Sequence, residues 1–292
     1  MQPASVNNAN NANSANSAQP SAKPAATIVD LLELEELDQD LYRALTVFED
    51  PYSLYGGQVA AQALLAAGRT VADGRVPHSL HGYYLRSGDA SRPTIFRVER
   101  DRDGRSFSAR RVVAVQGGKV IFNMSASFQV PEDSDDHQVD PMPDAGDPTT
   151  AEQLRFGRLF SIEGRLPKQP YENSGWPTRV WARSTVALPD DRLLHACVLT
   201  YLSDTFTGLA AFPGGAALSG ASLDHAVWFH RPIRMDDWVL LDLVPRSAAG
   251  GRGLYSGTIH TADGVLGASL SQEALYRVHR ESSRPRPMPP TH

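Results

Sequence analysis

A long internal repeat restricts the fold of this chain more than any other feature of its sequence. Gly57 to Ala67 (GQVAAQALLAA) carries small and apolar residues at helical spacing, with Val59, Ala63, Leu64 and Ala67 on one face and Gly56-Gly57 as an entry turn. From His78 to Gln129 the pattern becomes that of strands: HSLHGYYL, PTIFRVERDR, SFSARRVVAVQ and KVIFNMSASFQ, separated by SGD, DG and GG turns. The same succession returns later. A helix is predicted from about His195 to Ala211, followed by SLDHAVWFH, WVLLDLVPR, GLYSGTIHT and VLGASLSQEALYRVH. Laying Gly118 on Gly264 gives an offset of 264 − 118 = 146, and Arg86 on Arg231 gives 231 − 86 = 145. Two distant anchors that agree within one residue mark a duplicated domain, since solenoid repeats have periods of about 20 to 50 residues.

Each copy must bury the apolar face of its own helix. A twisted antiparallel sheet does so by curling around it, which is the hotdog arrangement, with the sheet as bun and the helix as sausage. The expected class is therefore α+β: a double hotdog, two tandem hotdog folds side by side as a pseudo-dimer. With 292 residues the chain has room for two such cores. The expected boundaries are an N-terminal hotdog over 28–131, a linker and bridging segment over 132–192 and a C-terminal hotdog over 193–280. Residues 1–27 are mostly Asn, Ala, Ser and Pro, and 281–292 are polar and proline-rich. Neither end has the apolar surface to offset ordering entropy, so both are predicted to be disordered tails.

Charge and composition exclude several function classes. The net charge of -5, from 28 basic and 33 acidic residues mixed along the chain, gives no general attraction to nucleic acid or anionic membrane. No run of about 18 apolar residues offers a membrane span, and the start lacks the basic and apolar regions of a secretory signal. Cys197 is the only cysteine, so no intramolecular disulfide is possible, and a cytoplasmic location is the default. There is no G-x-S-x-G elbow, Walker loop, H-E-x-x-H or cysteine cluster, and neither a metal nor a cofactor is expected.

The segments LYGGQVAAQALLAA, HSLHGYYLRSGD, DGRSFSARRV, LDHAVWFHRP and DGVLGASLSQEALYR together resemble the acyl-CoA thioesterase II (TesB-like) family, over nearly all of residues 31 to 280. The resemblance implies a double hotdog that hydrolyses acyl-CoA. It also implies a catalytic network of an Asp on the second-half helix, a Thr or Ser before the DH of a second-half strand, and a Gln on the last strand. These positions fall on Asp204, Ser222 and Gln272. It suggests further assembly, as a homodimer or homotetramer.

Thioester hydrolysis needs an activated water, donors for the developing oxyanion and a pocket that hides the acyl chain. Asp204 can take a proton from water, while Ser222 and Gln272 can each donate and accept to orient it. A backbone N–H at a helix N-terminus suits the oxyanion. The 146 offset lays Asp204 on 204 − 146 = 58, which is Gln58, so one of two symmetric sites is expected to lack its base, with Gly57 or Gln58 presenting an amide to the other. Arg86, Arg110 and Arg111 are candidates for the coenzyme A phosphates, although adjacent arginines on a strand face opposite ways. His81 is a further candidate to line the site.

Taken singly, Asp204 could cap a helix, and Ser222 and Gln272 could be ordinary sheet residues; they gain force as a set. Asp224-His225 invites a dyad, but neighbours on a strand point apart, which favours structural hydrogen bonding for both. Cys197, on an apolar helix face, fits packing better than nucleophilic chemistry. Two other functions remain open at this level: a hotdog enoyl-CoA hydratase, and an acyl-CoA binding protein without catalysis.

Overall fold

The computed structural model describes residues 26–46, 53–157, 159–172 and 174–277. The tails expected at 1–27 and 281–292 lie outside the described residues, apart from Ala26 and Thr27. Thr27 corrects the first boundary: it forms a capping box with Asp30 at the start of a short helix, α1 (Ile28–Leu32). The first half continues with β1 (Leu34–Asp38), β2 (Leu41–Ala44), α2 (Gly56–Gly68), β3 (Val76–Tyr84), β4 (Thr94–Asp103), β5 (Phe107–Gln116) and β6 (Lys119–Gln129). Before its helix the second half has β7 (Glu152–Leu154), β8 (Ile162–Leu166) and β9 (Arg179–Ser184), then α3 (Arg192–Ser203) and a 3-10 turn (Gly208–Ala211). It ends with α4 (Gly215–Leu218), β10 (Ser219–Ser222), β11 (Asp224–Phe229), β12 (Val239–Ala249), β13 (Arg252–Thr261) and β14 (Leu266–Tyr276).

The strands make one antiparallel sheet in the order β1-β2-β4-β5-β6-β3-β11-β14-β13-β12-β9-β8-β7, with β10 added against β14. The alternation seen in the sequence sets the faces: in β5, Ser108, Arg110, Val112, Ala114 and Gln116 point inward. The two halves are tandem hotdogs joined edge to edge through β3 and β11. Leu80 stands opposite Val227 and His81 opposite Ala226. The 146 offset carries residue 80 to 226 and 81 to 227, so these two pairs are images of each other. The pseudo-twofold axis passes between them.

Inside the sheet, α2 and α3 lie antiparallel, the start of α2 beside the end of α3. Tyr55 donates a hydrogen bond to the Tyr201 carbonyl at 2.8 Å, and a Cβ on Gly68 would overlap the Leu193 side chain. Glycine at both ends of α2 permits this approach. The sequence marks one apolar face on α2, yet every residue from Val59 to Ala67 is buried, because the sheet covers one side and α3 the other.

One expectation is corrected and another gains its detail. The second helix starts at Arg192, capped by Asp191, and stops at Ser203; the stretch to Ala211 is a loop and a 3-10 turn whose start is capped by Thr207. The segment 132–192, expected as a linker and bridging element, carries sheet strands of the second half: β8 and β9 pair with each other and β9 with β12, as β1 and β2 pair with each other and β2 with β4. The preceding stretch lies across the outer face of this half, where Met142 and Ala145 pack on Trp181, Leu240 and Trp238, and Asp136 pairs with Arg231. Among the described residues no helix is long and apolar enough to cross a membrane.

Phe96 on β4 is fully buried in the core that includes α2. Phe96→Ala is expected to lower the unfolding free energy by about 3–5 kcal/mol, read as a shift of the urea midpoint at unchanged slope.

Candidate active site

Helix α3 ends at Asp204, whose backbone has left helical geometry, so its side chain projects past the last turn. From there residues 205–221 loop through the 3-10 turn and α4, and β10 then pairs with β14 with Ser222 opposite Ala274. Gln272 lies two residues earlier on β14, on an inward position, buried. The three side chains meet. Ser222 Oγ lies 3.2 Å from Asp204 Oδ1, and Gln272 Nε2 lies 2.7 Å from the same oxygen and 2.6 Å from Ser222 Oγ.

The other side of the carboxylate faces the first turn of α2. The Gly57 backbone N–H acts on the Asp204 carboxylate and favours its charged form, and a Cβ on Gly56 would overlap Asp204 Oδ2. Tyr55, the N-cap of α2, makes no side-chain cap, so the first-turn amides and the positive end of the helix dipole are directed at this charge. Burial raises the Asp204 pKa above the ordinary carboxylate range; the neighbouring His225 and the bonds from Gln272, Ser222 and Gly57 oppose that rise only in part. The result is a carboxylate of strengthened basicity with donors gathered on Oδ1 and with Oδ2 against the helix start.

Two further groups close the site. The Tyr84 ring stands against Gly56, and its buried hydroxyl has no hydrogen-bond partner among the described residues. Burial, then the charge of Asp204, pushes that phenol well above its usual pKa, so it stays a donor. His225 is fully buried with Nε2 2.7 Å from Ser203 Oγ, and burial lowers its pKa. Neither was singled out for the site in the sequence, since a Tyr-Tyr pair on a strand and a DH pair carry no sign of which member faces inward.

The remaining sequence candidates separate. Gln58 sits in the first turn of α2, but it is not the counterpart of Asp204. The helices start 192 − 56 = 136 residues apart, not 146, because residues 204–223 form a longer connection than residues 69–75. Helix on helix, Asp204 corresponds to Gly68; sheet on sheet, Ser222 and Gln272 correspond to Val76 and Ala126. The symmetry-related place therefore lacks all three groups.

His81 points to the outer face, stacked on Tyr83 and 3.4 Å from Asp224, away from the helices. Arg110 is directed inward but buried, with its donors taken by Thr70, the Arg102 and Ala109 carbonyls and Asp103, so it is not available to a ligand phosphate. Arg111 is on the outer face, paired with Glu99 and Asp101. Arg86 ties its Nη1 to the Val120 carbonyl, as Arg231 does to Leu266; the 146 offset relates 120 and 266, so this bond is a duplicated structural feature. Cys197 is buried, which raises its thiol pKa. Among the described residues no group of three or more His, Cys, Asp or Glu could hold a metal ion.

Comparison with known proteins places this geometry in context. Residues 49–129 match the family described as acyl-CoA thioesterase N-terminal domain, and residues 131–276 match its C-terminal domain. The chain is 36% identical over 274 residues to acyl-coenzyme A thioesterase 8 of Rattus norvegicus, covering 82% of this chain and 86% of that protein. It is 36% identical over 251 residues to acyl-CoA thioesterase 2 of Haemophilus influenzae, covering 77% and 87%. The crystal structure of acyl-CoA thioesterase II TesB2 from Mycobacterium marinum superimposes with a TM-score of 0.73 at 42% identity, over 88% of this chain and 99% of that one.

Gly56 leaves no room for a side chain between Asp204 and Tyr84. Gly56→Ala is expected to displace the carboxylate and lower kcat on the order of 10²-fold in steady-state kinetics, with an unchanged circular dichroism spectrum.

Proposed function

The chain belongs to the TesB-like acyl-CoA thioesterase II family, and from that premise we propose that it hydrolyses fatty acyl-CoA to free fatty acid and coenzyme A with a water activated by Asp204, Ser222 and Gln272. The observation that carries this reading is the convergence of a hydroxyl and an amide on one buried carboxylate. Asp204 takes a proton as the water oxygen adds to the thioester carbonyl carbon. When the tetrahedral intermediate collapses, the C–S bond breaks and the departing sulfur takes that proton. Acyl-CoA and water thus give a carboxylic acid and a free thiol.

The oxyanion of the intermediate is met by the first turn of α2. The Gly57 amide already serves Asp204, which leaves the Gln58 amide as the donor we assign to it. For the coenzyme A phosphates we favour Arg86, exposed two residues beyond Tyr84 and with donors left over after its bond to Val120. An enoyl-CoA hydratase reading requires an Asp and a His that work together, and Asp224 and His225 point to opposite faces of β11. We also read the chain as a homodimer or homotetramer, supported by Tyr83 and Trp228 exposed on the outer face where the halves join; a monomeric mass in solution would reject this.

Asp204→Asn keeps the shape and removes the base. It is expected to lower kcat on the order of 10²- to 10⁴-fold with KM little changed, followed by thiol release from a panel of acyl-CoA esters. Undiminished hydrolysis by this variant would refute the assigned base, and absence of thiol release by the wild type at every chain length would refute the substrate. The base acts deprotonated and its pKa is raised, so kcat/KM is expected to rise with pH through an apparent pKa above the ordinary Asp value of about 3.9. An acid limb at or below that value contradicts the assignment.

A further inference from the structure

We propose that Tyr84 is a further catalytic residue: its hydroxyl donates a hydrogen bond to the thioester oxygen as that oxygen takes up negative charge, beside the Gln58 amide. The inference rests on the reading of Asp204 as the base.

Addition of water to a thioester moves charge onto one oxygen, whose lone pairs can take more than one donor. The Gln58 amide supplies one. A second donor has to stand near the carboxylate, because the carbon under attack is next to the water that Asp204 activates, yet it must not be spent on the carboxylate itself. Tyr84 meets both conditions. A Cβ on Gly56 would overlap Asp204 Oδ2 and lie 3.1 Å from Tyr84 Cζ, the carbon that bears the hydroxyl, so carboxylate and phenol flank one point at the start of α2. No hydrogen bond joins them. The side-chain donors to Asp204 gather on Oδ1, while the Tyr84 hydroxyl oxygen is buried and without a partner among the described residues.

The backbone ties Tyr84 to the rest of the site. Its N–H donates to the Leu223 carbonyl at 2.9 Å, and the Leu223 N–H donates to the Glu273 carbonyl at 2.8 Å. Leu223 follows Ser222 in the chain and Glu273 follows Gln272, so the phenol and the two side chains around Asp204 share one hydrogen-bonded frame. The Tyr84 ring leans on Phe122, with centroids 5.0 Å apart, and Gly82 leaves the room that the Phe122 ring fills. A donor held in this way needs no rearrangement when charge appears beside it. Burial and the charge of Asp204 keep the phenol protonated, so it has a hydrogen to donate.

The duplication supplies a comparison inside the chain. Tyr84 stands opposite Phe122, and Phe229 stands opposite Ala268, which the 146 offset relates to Phe122. Pairing thus makes Phe229 the counterpart of Tyr84, at 229 − 84 = 145, the offset of Arg86 and Arg231. A phenyl ring satisfies this position of the fold at the symmetry-related place, which has no base, and the hydroxyl is found at the place that has one. A buried hydroxyl without a partner is destabilising, so packing does not account for it. Donation to the reacting oxygen does.

Tyr84→Phe removes the hydroxyl and keeps the ring. It is expected to lower kcat about 10²-fold with KM little changed, the loss typical of one oxyanion donor. Its urea midpoint is expected to stay level or rise, because the deleted group is buried without a partner. A purely structural hydroxyl gives the reverse, lost stability with kcat intact. Two coenzyme A analogues separate donation to the oxygen from general damage to the pocket. A trifluoromethyl ketone, which hydrates to a tetrahedral carbon bearing oxygens, is expected to bind Tyr84→Phe more weakly by about the factor lost in kcat. An S-alkyl thioether has no carbonyl oxygen and is expected to bind wild type and variant alike. Unchanged kcat in Tyr84→Phe while Asp204→Asn is inactive overturns the role of Tyr84 alone, as do equal losses of affinity for the two analogues or an undiminished affinity for the ketone. Full activity of Asp204→Asn overturns the reading of the site and the inference with it.

Discussion

The structure turns on the contact between the start of one helix and the carboxylate at the end of another. Removing a carboxylate from water is expensive unless donors replace the lost hydration. Asp204 obtains them from three directions: the Gly57 amide at the positive end of α2, Ser222 from the added strand β10 and Gln272 from β14. None of these is local in sequence, so the carboxylate is held only when both halves are folded and docked. The near approach of α2 and α3, made possible by glycines at residues 56, 57 and 68, is what brings the first-half helix to a second-half side chain.

Duplication and divergence explain why the site is single. The sheets of the two halves keep their 146 offset through hairpin turns with left-handed glycines at 118 and 264, and through the Arg86 and Arg231 ties. The helices do not keep it. A longer connection between α3 and β11 supplies β10, and with it Ser222. At the symmetry-related place Gly68, Val76 and Ala126 offer no polar side chain, while Arg110 inside the first half is occupied with Thr70 and Asp103. The outer faces diverge as well, since the segment around Met142 covers one half only.

Much of this was legible in the chain. The strands from β3 to β6 and from β11 to β14 fall within a few residues of their alternating patterns, because one wet and one dry face enforce period two. The bounds of α3 were not legible. Apolar residues continue past Ser203, and only the tertiary environment of Asp204 shows that the helix has ended. The strands β8 and β9 were hidden because they are short and separated by long, proline-containing loops, with little alternation to reveal them.

By itself the sequence determined the architecture, through repetition and periodicity, and, through its resemblance to a family, the three residues to examine. Only the tertiary structure decided which way each side chain faces and which donors remain free. It sent His81 outward and His225 inward, used up Arg110, and assigned the Gly57 amide to Asp204. The physical reason is that a hydrogen bond depends on distances of a few tenths of an ångström between atoms far apart in the chain, and periodicity carries no information on that scale.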